Sequence, residues 1–315
     1  MPFNPLNETL HGVWCDLAEL TGARFAARDL QLRRLRPALN PLAGGNRSTL
    51  RGRGLEFEEV RAYQAGDDIR TIDWRVTART GRTFTKLFRE ERERPVLIVV
   101  DQRQPMFFGS RTCFKGKLAA WLGALLAWAG LQEGDRVGGL AIGNDRRHEV
   151  RPRRSPKSVL AWINTLHEYN HRLQRNSRLE QGSAESLVAA LADLRRTARP
   201  GSTIYLISDF SGAQHPAVRE QLYRLARHCE LTAVFVYDPL EKELPPPGQY
   251  TVTDGAQRLT LDTADKTLRG HYHERFEQRR QTLRQLLASL AIPLLEVSTE
   301  QPPLSALSQH WRSGR

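Results

Sequence analysis

Pro95-Val96-Leu97-Ile98-Val99-Val100-Asp101 decides the fold of this chain. Five apolar, mostly β-branched residues run without polar alternation and stop at an acid. Such a run reads as a strand buried on both faces, the usual state of a strand in a parallel sheet. Thr203-Ile204-Tyr205-Leu206-Ile207-Ser208-Asp209 repeats the pattern and also ends in an acid.

Working outward, helix-like and strand-like segments alternate. Phe114 to Leu131 reads as a helix that is apolar over most of its surface, and Val137 to Ile142 as a strand after the Gly134-Asp135 turn. A short basic piece, His148 to Arg151, follows. Ser155-Pro156 opens a helix, with Ser155 as cap and Pro156 at the first helical position. Its apolar face is Val159, Trp162, Ile163 and Leu166. Ser183 caps a helix over Ala184 to Thr197; Pro216 to His228 is a helix and Leu231 to Tyr237 a strand. After the Pro245 to Gly248 loop come a hairpin (Tyr250 to Thr253, Arg258 to Asp262), a long polar helix (Asp265 to Leu290) and a last strand (Pro293 to Val297). Strands separated by helices imply right-handed crossovers, so the pattern predicts an α/β fold with a doubly wound, mostly parallel sheet. In such sheets ligands sit beyond the carboxyl ends of the strands, where strand order reverses. Asp101 and Asp209 stand at two such ends.

The first ninety residues break the alternation. Leu10 to Leu35 reads as helical, with Leu17, Leu20, Leu30 and Leu32 as its apolar content, and Gly44-Gly45-Asn46 as a turn. The expected division is an N-terminal α+β extension (1–92), a sheet domain (93–300) and a tail (301–315). In that tail Leu304, Leu307 and Trp311 line one side of a short docking helix.

The chain has 315 residues, enough to bury a core without a disulfide or metal staple. Its 40% hydrophobic and 26% charged content argues against a disordered or fibrous chain. Cys15, Cys113 and Cys229 lie far apart, which argues against a disulfide framework and for a reducing compartment. The longest apolar stretch, Leu118 to Leu131, falls short of the ~20 residues of a spanning helix. The start, Met1 to Pro5, lacks the basic and apolar run of a secretion signal. These features predict a cytosolic protein without a membrane-inserted segment. The net charge of +12 could draw nucleic acid, an anionic membrane or an acidic protein. Only six of the 47 basic residues are lysine, a skew that a GC-rich genome alone produces. The basic residues also interleave with acids, as in Arg89 to Arg94, where a nucleic-acid binder would concentrate them with aromatics.

The most unusual stretch is Gly54 to Gly81. Acids and arginines alternate there at close range around Phe57, Tyr63 and Trp74. Glu56-Phe57, Arg61-x-Tyr63, Gly66-Asp67-Asp68, Arg70, Asp73-Trp74-Arg75 and Ala78-Arg79 resemble the signature of the domain of unknown function 58 family. The strands ending at Asp101 and Asp209 resemble that family's von Willebrand factor A-like domain, so the resemblance runs from about Leu50 to Val297. It implies a non-enzymatic interaction platform. It further implies partnership with MoxR-type AAA+ ATPases and other von Willebrand A-like proteins, in assembly or maturation of further proteins. Many family members carry transmembrane helices near the N-terminus; this sequence shows none there.

The resemblance also implies where to look for a metal. Von Willebrand A-like domains often hold Mg²⁺ through Asp-x-Ser-x-Ser after the first strand, with a later Thr and a late Asp. Here the run is Asp101-Gln102-Arg103-Gln104-Pro105, so both serines are lost; Ser183 stands near the Thr position and Asp209 near the late Asp. A hard divalent ion wants more oxygen ligands than these residues offer. The expectation is therefore no cofactor, with Mg²⁺ at Asp101 and Asp209 as the remaining possibility. Two placements of Arg103 stand open: a guanidinium that replaces the cation and bridges Asp101 to Asp209, or a side chain in solvent. The Gly66 to Arg79 segment also has two readings. One is a recognition surface for a partner ATPase. The favoured one is an ion-pair staple onto the sheet domain, anchored by Trp74 and Tyr63.

One motif points elsewhere. His167-Glu168-Tyr169-Asn170-His171 matches H-E-x-x-H, in which two histidines at i and i+4 chelate zinc and the Glu is a general base. Glu180 and Glu185 are the candidates for a third ligand. The segment lies near a helix end, where solvated histidines are the plainer reading. A zinc hydrolase and a basic nucleic-acid-associated protein are thus the alternatives to a platform. No Gly-x-Ser-x-Gly elbow and no phosphate loop occurs, which argues against ATP hydrolysis by this chain alone.

Overall fold

The computed structural model describes residues 9–30, 32, 55–64, 72–90, 95–173, 183–253 and 258–312. Two compact units emerge: Met1–Ala43 with Arg94–Arg315, and Gly44–Glu93.

The larger unit contains a six-stranded mixed sheet in the order β10-β7-β6-β3-β4-β5. Its strands are β3 (Pro95–Asp101), β4 (Arg136–Ile142), β5 (Arg147–Arg153), β6 (Thr203–Ser208), β7 (Glu230–Tyr237) and β10 (Leu294–Ser298). Five are parallel, and β5 returns antiparallel to β4. The predicted α/β class with a mostly parallel sheet matches this; the basic piece at 148–151 is the strand that makes the sheet mixed. From β3 the chain winds first to one side (β4, β5) and then to the other (β6, β7, β10), so strand order reverses between β3 and β6.

Side-chain alternation divides the core. Val96, Ile98 and Val100 face α1 (Leu17–Ala26), α3 (Lys115–Gln132), α4 (Pro156–His171) and α9 (Pro303–Arg312). Leu97 and Val99 face α5 (Ser183–Thr197), α6 (Pro216–Ala226) and α8 (Lys266–Ser289). Helix α3 is buried from Lys115 to Gly130, which explains its near-continuous apolar sequence. A short helix, α7 (Pro239–Lys242), follows β7, and β8 (Gln249–Thr253) pairs with β9 (Arg258–Asp262) in the predicted hairpin.

Several boundaries differ from the expected ones. The N-terminal helix spans only Leu17–Ala26, with Asp16 at its cap. Its Leu20 and the following Leu30 and Leu32 enter the sheet unit's core, whereas Leu17 is exposed. The described residues 9–30 and 32 therefore group with the sheet, not with a separate extension ending at 92. The tail helix also belongs to this core: Leu304 and Leu307 are buried in it and unavailable for docking.

Gly138-Gly139 in β4 marks a close approach. A Cβ at Gly138 would sit 2.4 Å from Val150 O, and one at Gly139 would sit 2.7 Å from Ile98 O and 2.8 Å from the Trp162 ring. Backbone oxygens cannot yield as flexible side chains do. Gly139→Ala is expected to lower stability by about 1–3 kcal/mol through overpacking. Thermal unfolding checks this; an unchanged Tm rejects the close-approach account.

The smaller unit pairs β1 (Leu55–Ala62) with β2 (Phe84–Glu90), antiparallel, around α2 (Trp74–Thr80).

Candidate functional site

The carboxyl ends of β3, β6 and β7 each present a buried acid: Asp101, Asp209 and Asp238. Asp101 is 0% exposed and Arg103 1%. The chain turns at Gln102, so Arg103 folds back on Asp101. Arg103 Nε donates to Asp101 Oδ1 at 2.9 Å and Nη2 to Oδ2 at 2.7 Å. The Arg103 backbone N–H donates to Oδ1 at 3.0 Å, and Ser208 Oγ to Oδ2 at 2.6 Å. Four donors thus meet the roughly four lone-pair positions of one carboxylate. Arg103 Nη2 also donates to Ser211 O across the strand-order reversal, at 3.1 Å. Burial opposes the Arg103 charge, but Asp101, and beyond it Asp209, hold its pKa above the ordinary guanidinium value.

Asp209 has other partners. Lys115 Nζ lies 3.0 Å from Asp209 Oδ2 and 2.9 Å from Glu241 Oε1, wholly enclosed. Ser211 donates to Asp209 twice, from N–H at 2.9 Å and from Oγ at 2.8 Å. Arg279 Nη2 donates to the Asp209 carbonyl at 2.6 Å and stands 3.6 Å from its carboxylate. Burial alone would raise the Asp209 carboxyl. Lys115, then Arg279 and the Ser211 hydrogen bonds, outweigh it and hold the group well below the usual carboxylate range. Lys115 is raised in turn: burial pushes it down, and Asp209 and Glu241 more than restore its charge.

Asp238 accepts from Ser110 N–H at 3.0 Å, from the Ser110 hydroxyl, from Thr299 Oγ1 at 2.6 Å and from Leu240 N–H at 2.9 Å. Gln102 joins a buried amide chain. Its Nε2 donates to Gly116 O at 2.8 Å, Asn170 Nδ2 donates to its Oε1 at 3.1 Å, and Cys15 N–H donates to Asn170 Oδ1 at 2.8 Å. That chain ties the N-terminal segment to the end of β3.

The structure therefore joins Asp101 to Arg103 and takes Arg103 out of solvent. Asp209 sits beside them, held by Lys115 and Arg279 rather than bridged through the guanidinium. Ser183 is the first residue of α5. Lys115, Ser208, Ser211, Glu241 and Arg279 were missed in the sequence. One signal did exist. Lys115 and Lys117 begin an otherwise apolar helix, the end where the macrodipole disfavours cations. A lysine placed there calls for buried acids: Lys115 finds Asp209 and Glu241, and Lys117 finds Glu19 at 2.9 Å.

These residues do not fit a divalent cation. Fixed cations already contact Asp101 and Asp209, and the lone pairs of Asp101 are filled. Among the described residues no three His, Cys, Asp or Glu side chains converge as a metal group.

The signature segment lies in the smaller unit. Asp73 caps α2, accepting from Arg75 N–H at 3.0 Å and Val76 N–H at 3.2 Å, and Gly81 ends the helix in the left-handed region at φ 70°. Glu56 lies opposite Arg89 in the β1–β2 ladder, and Arg61 Nη1 donates to Ala62 O at 3.0 Å. Tyr63 is half-buried. Trp74, the first residue of α2, is 67% exposed. Arg75 and Arg79 are exposed on α2. Gly66, Asp67, Asp68 and Arg70 lie outside the described residues.

The H-E-x-x-H histidines close α4 with ring centroids 4.2 Å apart. His171 Nε2 contacts Cys15 O at 2.9 Å and its ring stacks on Trp14; Glu168 is ion-paired to Arg172. Burial and then His171 push the His167 pKa down. Glu185 is exposed, and Glu180 lies outside the described residues. The motif thus has its Glu and one His engaged locally.

The model of the family described as "Protein of unknown function DUF58" matches residues 59–282. This chain belongs to that family. The uncharacterized protein Rv1480 of Mycobacterium tuberculosis is 28% identical over 291 residues, 92% of this chain and 89% of that one. Two solved structures resemble this DUF58 chain over 70% of its length at 14% identity. They are the conserved hypothetical protein BatB of Bacteroides thetaiotaomicron (TM-score 0.43, 98% of that chain) and an aerotolerance-related membrane protein of Bacteroides fragilis (TM-score 0.41, 99% of that chain). The second of these is described as a membrane protein, and this corrects the cytosolic expectation. What the DUF58 chain itself shows is narrower: among its described residues no helix is long and apolar enough to cross a membrane.

Proposed function

We propose that this DUF58 protein is a non-enzymatic interaction platform built on a von Willebrand A-like sheet unit. Its partner is a MoxR-type AAA+ ATPase, acting with other von Willebrand A-like proteins on a client. One observation carries the reading: the strand-end acid that a metal-dependent adhesion face would use, Asp101, is saturated by Arg103 and Ser208. A carboxylate with four donors has nothing left to ligate an ion or take a substrate proton. What remains is a rigid face whose loops are held by buried ion pairs, suited to contact rather than chemistry.

The test uses the full chain and the purified ATPase, with and without ATP, in a binding titration, alongside Mg²⁺ and Mn²⁺ calorimetry. Saturable, nucleotide-dependent binding of the ATPase and no heat from either metal are expected. Tight metal binding, or unaided turnover of a peptide or small molecule that Glu168→Gln abolishes, would overturn the reading.

A further inference from the structure

The sheet ends in two edge strands, β10 and β5. Strand β10 pairs with β7 and carries its residues into the core alongside α9. Among the described residues strand β5 pairs with β4 alone and is exposed at most of its positions, whereas β10 is mostly buried. An open edge offers unpaired N–H and C=O groups to another strand.

The ladder register decides which groups are offered. Gly143 N–H donates to Arg146 O, and His148 and Val150 stand opposite Ala141 and Gly139. Hydrogen-bonded and open pairs alternate along an antiparallel ladder. The main-chain groups of Arg146, His148 and Val150 therefore turn toward β4, and those of Arg147 and Glu149 turn outward. Beyond Val150 the register shifts, Arg151 O accepts from Ser158 Oγ at 3.3 Å, and Pro152 has no N–H to give. The pairable stretch is short and has a built-in stop.

Its charge is one-sided. From Asp145 to Lys157 the chain carries five arginines and one lysine against two acids, a net +4. Arg147 is paired to Asp193 at 2.6 Å and Glu149 accepts from Thr197 Oγ1 at 2.7 Å. Arg151, Arg153, Arg154 and Lys157 are exposed, with no ion pair among the described residues. Two copies of this edge brought together would oppose like charges, which disfavours a second copy as the occupant. The complement is an extended, acidic segment.

We propose that β5 receives an acidic peptide as an added strand, with main-chain hydrogen bonds to Arg147 and Glu149 and carboxylates on the arginines from Arg146 to Arg154. This surface is independent of the strand-end face and of the ATPase reading.

The probe is a fluorescein-labelled Glu-Val-Glu-Val-Glu-Val-Glu peptide, titrated with the full chain and followed by anisotropy. Two further versions are N-methylated, one at the valines and one at the glutamates. Each removes the N–H groups of one peptide edge. Strand addition uses one edge, so one version is expected to lose about tenfold or more while the other stays within about twofold. The Arg151→Glu/Arg153→Glu variant, its fold checked by circular dichroism, is expected to lose about tenfold or more. Equal binding of both methylated versions would reduce the contact to charge alone and overturn the proposal. So would an unchanged affinity in the arginine variant, or tighter binding of a single-stranded oligonucleotide of matched charge.

Discussion

Lys115→Met is expected to lower folding stability by about 3–5 kcal/mol, the cost of leaving a buried carboxylate without its partner. Lys115 is enclosed between Asp209 and Glu241, and Met keeps the stem while removing the charge. Arg279 and Ser211 remain at Asp209, so the loss falls short of unfolding the chain outright. Urea denaturation reads the effect as a shifted midpoint. The acid limb gives a second reading. The Asp209 pKa is depressed in the folded state from 3.8. Its stabilising contribution is therefore full above that value and lost as pH falls through the lower folded value. Lys115 has the opposite sign. Its folded pKa is raised from 10.5, so its contribution is full below that value and lost at higher pH. Wild-type stability should decline as pH drops below about 4. The variant should decline less steeply there, because Asp209 is no longer held so far down. A variant as stable as wild type at neutral pH would show that the Lys115 pairs contribute nothing.

Arg103→Met is expected to cost a similar amount, about 3–5 kcal/mol, for the same reason at Asp101. Asp101→Leu leaves the guanidinium buried instead and is expected to be as harmful. The informative variant is the double one. Replacing both members of a buried pair by apolar groups is often close to neutral, so Asp101→Leu/Arg103→Met should recover more than half of the single losses. The double-mutant cycle isolates the pair from the surrounding hydrogen bonds. Additive single losses, with no recovery, would mean that Arg103 acts through packing alone. Mg²⁺ added to Arg103→Met supplies a further check. A strong gain in stability would show that a cation site survives beneath the guanidinium.

The legible parts of this protein are local. Val96 to Val100 and Ile204 to Ile207 are strands because their own residues are apolar and β-branched; no distant partner is needed to read them. Ser155-Pro156 and the Gly134-Asp135 turn likewise carry their signals within a few residues. The glycine pair at 138–139 stands in the sequence, but its reason, the Val150 and Ile98 backbone lying against it, does not.

The candidate site divides along the same line. Sequence alone placed Asp101 and Asp209 at strand ends and Arg103 two residues after Asp101, because each fact depends on the order of neighbouring residues. It also determined family membership, which the match over residues 59–282 shows. Tertiary structure alone brought Lys115 and Arg279 to Asp209, 94 and 70 residues away in sequence, and Glu241 to Lys115, 126 residues away. It also turned an undistinguished basic piece into an edge strand of the sheet. The physical reason is common to all of these. Hydrophobic pattern and turn chemistry act over a few residues and leave a periodic trace, whereas which charge neutralises which depends on what the crossovers bury side by side, and linear spacing holds no record of that.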